Sequence, residues 1–474
     1  MGRVVPILAI LVGCAPPVVP TLDWVVTGRA QPFQLGFDVT VDRPANLSLS
    51  CVSFEDPSER HRLAAWAENS HRFSLFGLLE DHPYNCTITS VGTTTQTWRG
   101  TVTTSAGRPI ETSVETLAGQ QRWGSYTLVS YWYSGDNKRV ALILDPEGRP
   151  RWTLPFDDAT TGGIEVHYND GLLLAGGGKG QAPMLVDLAG VPVYESGPPF
   201  TGGERDSFHH DVQLTEDGQV IKLASAENFT PGGQELPGGF AVEAASVLTD
   251  ETSWSWNSQS GIDSGVLIPD PTGDAFHANA IQWTRDPEGD ALYVSLRATN
   301  QIIRIDRVSG EISGILGRGG DFALQDTEGI LLDDAEWFGG QHAPELEGNR
   351  LLVYDNGAHK GPVSDAFTRI AEYEIDFDRR EAMLVWTYEE PGWFEPLFGD
   401  VDRLPNGNIV VASGHCNNCN GSTDEDARSF VAEVDPATGD NIWRMSFADH
   451  RDAIYRAQFI DGCDIFVNEK YCPR

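Results

Sequence analysis

From about Gly124 onward, a short unit recurs six times: an apolar run, an aspartate, a turn with glycine or polar residues, then an aromatic or apolar run. It reads Leu142-Ile143-Leu144-Asp145-Pro146-Glu147-Gly148 before Trp152, and Leu185-Val186-Asp187-Leu188-Ala189-Gly190 before Tyr194. It returns as Val247-Leu248-Thr249-Asp250 before Trp254, as Arg304-Ile305-Asp306 before Gly310, and as Glu374-Ile375-Asp376 before Trp386. The last copy is Glu433-Val434-Asp435 with Gly439 before Trp443, and the six aspartates are separated by 42, 63, 56, 70 and 59 residues. One strand-turn-strand unit cannot bury its own faces, whereas copies arranged round an axis bury one another. The repeat therefore predicts a six-bladed β-propeller over residues 120–474. The Asp and Gly shape a hairpin turn, the aromatic packs between blades, and the variable gaps are loop insertions at one face.

Composition agrees with an all-β chain. Gly 50 and Pro 28 beside 13 Trp favour many short strands with turns. Residues 22–105 show runs alternating at period two, such as Phe33, Leu35, Phe37 and Val39, then Leu47-Ser48-Leu49-Ser50-Cys51. Tyr84 lies two residues before Cys86, as at the tyrosine corner of immunoglobulin-type sandwiches. This region is expected to be a small β-sandwich resembling a fibronectin type III module, serving as spacer or prop. A net charge of −36 argues against nucleic acid as a partner and against docking on anionic lipid.

The N-terminus reads as an export signal. Arg3 precedes an apolar stretch, Val4 to Val12, that is too short to span a bilayer. Leu11-Val12-Gly13-Cys14 resembles a bacterial lipobox, which makes residues 1–14 a lipoprotein signal with Cys14 as the lipid attachment point. Residues 15–21 then form a tether, and the only membrane contact is through lipid, in the cell envelope. An ordinary cleaved signal is the alternative. The six remaining cysteines suggest disulfides in an oxidising compartment. Proximity pairs Cys51 with Cys86, Cys416 with Cys419 and Cys463 with Cys472, among about 15 connectivities open to six cysteines.

Of 11 histidines, several sit in short motifs: Phe208-His209-His210-Asp211, Phe276-His277-Ala278-Asn279, Gly340-Gln341-His342 and Gly414-His415-Cys416. The first three come at or just before a second kind of strand, at positions that in a propeller border the central channel. Imidazoles delivered by successive blades to one axis would make an active site, since each can act as nucleophile, base or ligand. Each also has a plainer reading. His277 would cap a turn, His210 would bond Asp211, and His359 and His415 would lie on exposed loops. Cys416-Asn417-Asn418-Cys419 has zinc-ligand spacing beside His415, but without a second ligand pair a disulfide is favoured, and no metal is expected. Neither a Gly-rich phosphate loop nor a Gly-x-Ser-x-Gly elbow occurs.

From roughly His209 to Ala457 the chain resembles the bacterial arylsulfate sulfotransferases, which use no nucleotide sulfate donor. The resemblance rests on Asp274-Ala275-Phe276-His277-Ala278-Asn279-Ala280-Ile281, Gln341-His342, Leu351-Leu352-Val353-Tyr354-Asp355-Asn356-Gly357, Ala371-Glu372-Tyr373-Glu374-Ile375-Asp376, Gly414-His415 and Tyr455-Arg456-Ala457. It implies a ping-pong transfer, without a cofactor, from an aryl sulfate donor to a phenolic acceptor through a sulfo-histidine. By motif position His415 matches the nucleophile, and His277 and His342 match the pair that polarises the sulfuryl oxygens. Where the family carries an arginine this chain has His359-Lys360, with Arg369 as a further candidate. Lysine lacks the guanidinium fork but neutralises charge. Asn279, His210, His359 and Arg369 are expected to line the substrate site. Two other readings stay open: a non-catalytic propeller that binds an anionic aromatic ligand, and a metal-assisted hydrolase of sulfate or phosphate esters.

Overall fold

The structure, a computed structural model, describes residues 24–91, 95–133, 135–156, 163–176, 178, 182–197, 208–230, 232–271, 273–358, 367–414 and 428–472. Six sheets of four or five strands follow the N-terminal unit, and together they form a six-bladed propeller. The second, third and fourth blades span residues 165–195, 208–257 and 278–317, each a simple four-stranded meander. The fifth spans 342–389 and gains Ala323–Gln325 as a parallel outer strand. The ring is closed twice. The C-terminal strand Ala453–Ile460 supplies the innermost strand of the first blade, beside Tyr126–Tyr133. Thr112–Thr116 supplies the outermost strand of the sixth blade, 400–447, by pairing with Asn441–Phe447. The propeller thus begins before residue 120, where the repeat had suggested its start.

The six repeated aspartates fall in the hairpins between the third and fourth strands of the six blades, and the ladder of each such hairpin carries a shift of register. Asp145, Asp187, Asp306, Asp376 and Asp435 each accept backbone N–H bonds from residues two to four ahead, which fixes the turn. The aromatic that follows locks the next blade. The Trp152 indole donates to the Leu188 carbonyl at 2.8 Å, Trp254 to Arg307 at 3.1 Å and Trp443 to Pro146 at 3.1 Å. Tyr194 Oη donates to Asp250 Oδ1 at 2.6 Å, and there the aspartate serves the neighbouring blade rather than its own turn. The middle strands are covered on both faces by adjacent blades, so Val140–Leu144 and Ile302–Ile305 read as near-unbroken apolar runs.

The N-terminal unit differs from a two-sheet sandwich. Its five strands belong to one hydrogen-bonded sheet, because the long strand Gln34–Ser53 pairs with Trp24–Gln31, Arg60–Phe76 and Pro83–Val91 along its length. The sheet holds a core that includes Leu35, Phe37, Leu49, Phe73 and Ile88. The tyrosine corner is present, since the Leu79 N–H donates to Tyr84 Oη at 2.9 Å. Disulfides join Cys51 to Cys86 and Cys463 to Cys472, while Cys14, Cys416 and Cys419 lie outside the described residues. The unit is bolted to the first blade through Arg151, which is fully buried and donates to Glu59 at 2.5 and 3.1 Å and to Asp145 at 2.7 Å. Among the described residues no helix is long and apolar enough to cross a membrane.

Candidate active site

The innermost strands are Ala453–Ile460, Glu165–Asn169, Phe208–Leu214, Ala278–Asp286, His342–Glu347 and Asp400–Arg403, and they line the central channel. In four of them the ladder slips near the first residues: between Phe208 and Val212, Ala278 and Ala280, His342 and Glu345, and Ile454 and Ala457. Such bulges re-aim side chains. His210, His277 and Ala343 there adopt φ of 62°, 48° and 42°, a left-handed conformation uncommon for residues other than glycine. Because every innermost strand starts on the same face of the propeller, the four bulges gather their side chains on one rim.

The rings of His210 and His277 lie 5.0 Å apart, and His209 Nδ1 is 2.8 Å from His210 Nδ1. His277 Nδ1 lies 2.5 Å from Asp274 Oδ2, so the carboxylate accepts the Nδ1 proton and leaves Nε2 for other work. His342 is fixed more tightly. Asn356 Nδ2 donates to the carbonyls of Glu395 and Phe398, both at 2.7 Å, so Asn356 Oδ1 is an acceptor. That oxygen lies 2.8 Å from His342 Nδ1, so Nδ1 carries the proton and Nε2 of the neutral ring holds a lone pair. Burial, with Arg297 and Arg456, holds the His342 imidazole well below its ordinary pKa. Burial, with His209, does the same for His210. At neutral pH both rings are uncharged bases.

Below the rim the channel is a cavity of about 190 Å³ lined with carboxylates: Glu165, Asp211, Glu345, Asp400 and Asp402. Arg456 crosses it. Its Nε donates to Glu165 at 2.6 Å and its Nη1 to the Gly399 carbonyl at 2.8 Å, while Nη2 reaches the Asn279 carbonyl at 3.4 Å. One side chain from the first blade therefore ties in the second, fourth and sixth. Burial together with Glu165 raises Asp211 to about 7, and burial raises Glu345 to about 7. Burial, Asp400 and Glu345 hold Asp402 well above the carboxylate range. Glu165, His167 and Asp211 are the one group of three among the described residues whose ligand atoms lie within 4.8 Å of one another, as a metal would need. Glu165 is already paired with both Arg456 and His167, at 2.6 and 3.0 Å.

A family model, Arylsulfotransferase (ASST), matches residues 114–456, which takes in all six blades. The chain belongs to the arylsulfotransferase family. No curated protein matches its sequence significantly. Among solved structures it is similar to a Bacteroides caccae protein of unknown function (12% identity, 68% of this chain and 94% of that one, TM-score 0.43). It is also similar to virginiamycin B lyase of Staphylococcus aureus (12%, 84% and 99%, TM-score 0.35). A third is the periplasmic gluconolactonase PpgL of Pseudomonas aeruginosa (13%, 87% and 99%, TM-score 0.32). Likenesses of this degree say nothing of activity.

In this arylsulfotransferase the rim brings together three of the histidines singled out in the sequence, His210, His277 and His342. His415, His359 and Lys360 lie outside the described residues, and the described chain stops at Gly414, whose carbonyl accepts from Ser429 Oγ at 2.8 Å. Asn279 is fully buried. Its Nδ2 donates to the Gln341 carbonyl at 2.8 Å, so it braces the strand that carries His342. Arg369 is committed away from the histidines, because its guanidinium donates to Asp355 at 2.8 Å and to the Glu336 carbonyl at 2.7 Å. Sequence reasoning passed over Asp274, Asn356, Arg297 and Arg456 as site residues. Three of these stand inside motifs already quoted. Arg297 stands in none, and only strand pairing reveals it.

Proposed function

We propose that this arylsulfotransferase carries a sulfuryl group from an aryl sulfate to a phenol by way of a sulfo-histidine, with His415 as the accepting residue. The observation that carries this reading is the convergence of His210, His277 and His342 on one rim, two of them held neutral. In the first half-reaction an imidazole lone pair forms an N–S bond, the S–O bond to the aryl group breaks, and the aryl oxygen leaves as a phenolate that takes its proton from solvent. The N–S adduct is cationic at the ring and departs readily. In the second, the acceptor phenol oxygen attacks sulfur and the N–S bond breaks. The phenolic proton passes to His277 Nε2, whose Nδ1–H is held by Asp274. The test is to treat the protein with a chromogenic aryl sulfate, with and without phenol. Release that rises with phenol supports transfer, and loss of release in His415→Ala supports the nucleophile. Release indifferent to phenol and abolished by chelator would sink transfer in favour of metal-assisted hydrolysis.

One observation favours a second assignment within the same reaction. Asn356 sets the His342 tautomer so that Nε2 offers a lone pair, which suits a nucleophile better than a donor to sulfuryl oxygens. Peptide mapping after exposure to donor alone separates the two, since the added sulfuryl group sits on the peptide bearing either His415 or His342. We further propose an exported lipoprotein. Its test is Cys14→Ser, which is expected to move the protein from the membrane to the soluble fraction. An unchanged membrane fraction would sink the anchor.

A further inference from the structure

Among the described residues the fully buried arginines of this propeller have charged or aromatic partners, whereas the half-buried Arg297 does not. Arg151 is paired with Glu59 and Asp145, Arg304 with Asp286, Arg369 with Asp355 and Arg456 with Glu165. Arg122 has no carboxylate but lies over the rings of Trp443 and Phe459, at 4.2 and 3.8 Å. Arg297 has neither. Its Nη2 donates to the Pro396 carbonyl at 3.0 Å, and its Nε is buried without a partner among the described residues. Leaving a guanidinium donor buried and unpaired is costly, so such a group calls for an explanation.

Its position supplies one. Leu296 pairs with Ala278, and the Arg297 N–H donates to the His277 carbonyl at 3.1 Å, which sets Arg297 on the rim beside the bulge that carries His277. The same guanidinium acts on His342 from the next blade. Two carboxylates act on Arg297 from nearby: Asp274, already committed to His277, and Glu395, whose Oε1 accepts from the Leu397 and Phe398 N–H groups. A cation held at one end, without a partner at Nε among the described residues, rooted beside the His277 bulge and within electrostatic reach of His342, suits an anion that arrives from outside. Resting on the sulfuryl-transfer reading above, we propose that Arg297 is a catalytic residue that binds the sulfuryl oxygens of the aryl sulfate, a guanidinium drawn from the fourth blade rather than from the 358–361 stretch. As charge builds on those oxygens, fixed charge-assisted donors are worth most.

Benzenesulfonate tests this apart from turnover, because it keeps the aryl group and the three sulfonate oxygens but has no ester bond to break. Calorimetric titration of the full chain is expected to show binding that Arg297→Met weakens about tenfold or more. Arg297→Lys should fall between the two, since it keeps the charge and loses the fork. In the transfer assay Arg297→Met is expected to lose about 10²-fold in kcat/KM with its Tm close to that of the parent. Should Arg297→Met fail to fold, Arg297→Lys decides, and an unchanged Kd in that variant overturns the proposal. So does Arg297→Met binding benzenesulfonate within about twofold of the parent, or a parent chain that does not bind it. A parent that binds it in an Arg297-dependent manner yet transfers no sulfuryl group leaves the anion site standing and removes the reaction assigned to it.

Discussion

The rim and the lumen of this channel are built by the same six innermost strands, a few residues apart, and they carry opposite chemistry. At the rim stand His209, His210, His277, His342 and Arg297, whose Nε has no partner among the described residues. Just below stand Glu165, Asp211, Glu345, Asp400 and Asp402, with Arg456 across them. Part of the difference lies in the bulges that four of the six strands carry. At the bulged strand starts imidazoles turn to the opening, whereas Glu165, Asp400 and Asp402 stand on strands whose ladders do not slip. An anionic donor meets neutral bases and a cation at the opening, and behind them a cluster of carboxyls whose proton affinity burial has raised.

The comparison breaks most severely at the rim. His342→Ala removes the ring whose tautomer Asn356 fixes, and transfer should fall about 10³-fold. Side-by-side rates with phenol in excess check this, and a loss under tenfold would take His342 out of the chemistry. On the lumen side, Arg456→Met leaves Glu165 buried without its guanidinium and unties three other blades. Breaking a buried pair from one side costs about 3–5 kcal/mol, so thermal unfolding should show a large drop in Tm. A Tm within a degree or two of the parent would mean that the lumen is held by something else. A smaller effect sharpens the rim. Asp274→Asn keeps the shape but removes the charge that stabilises His277 as it takes a proton, and kcat should fall about tenfold or more. Because the Asp274 side chain is about half exposed, the fold should not suffer, and an unchanged kcat would remove His277 as the base.

What the sequence disclosed follows from how local each determinant is. The turn aspartates and the aromatics after them were legible because a turn is made by residues two to four apart and because Trp152, Trp254 and Trp443 each bond the turn of the next blade. The histidine rim was legible for the same reason, each motif marking the start of an innermost strand. Arg297 was not, since nothing near it in sequence says that Leu296 will pair with Ala278. Arg369 was assigned by charge and proximity to the Asp355-Asn356-Gly357 motif, and the fold instead joins it to Asp355 itself. The N-terminal strands alternate as a sandwich would, but period two does not reveal that Gln34–Ser53 runs on unbroken to make one sheet.

The lumen carries the mildest and most diagnostic prediction. Asp211 and Glu345 titrate near 7 in the folded chain, and Asp402 well above its ordinary range, while in the unfolded chain such groups titrate near 4. Below about pH 4 both states hold the proton and the groups contribute no difference. As pH rises from about 4 to 7 the unfolded chain releases protons that the folded chain keeps, so the unfolded state is favoured and stability falls across that window. Asp402→Asn keeps the shape and cannot titrate. Its Tm should match the parent near pH 4 and exceed it by about 2 °C or more at pH 8. A pH-independent difference would mean that Asp402 acts through packing rather than charge. The predicted divergence, by contrast, would show that the fold accepts a measurable instability at neutral pH to bury these carboxyls together in the lumen.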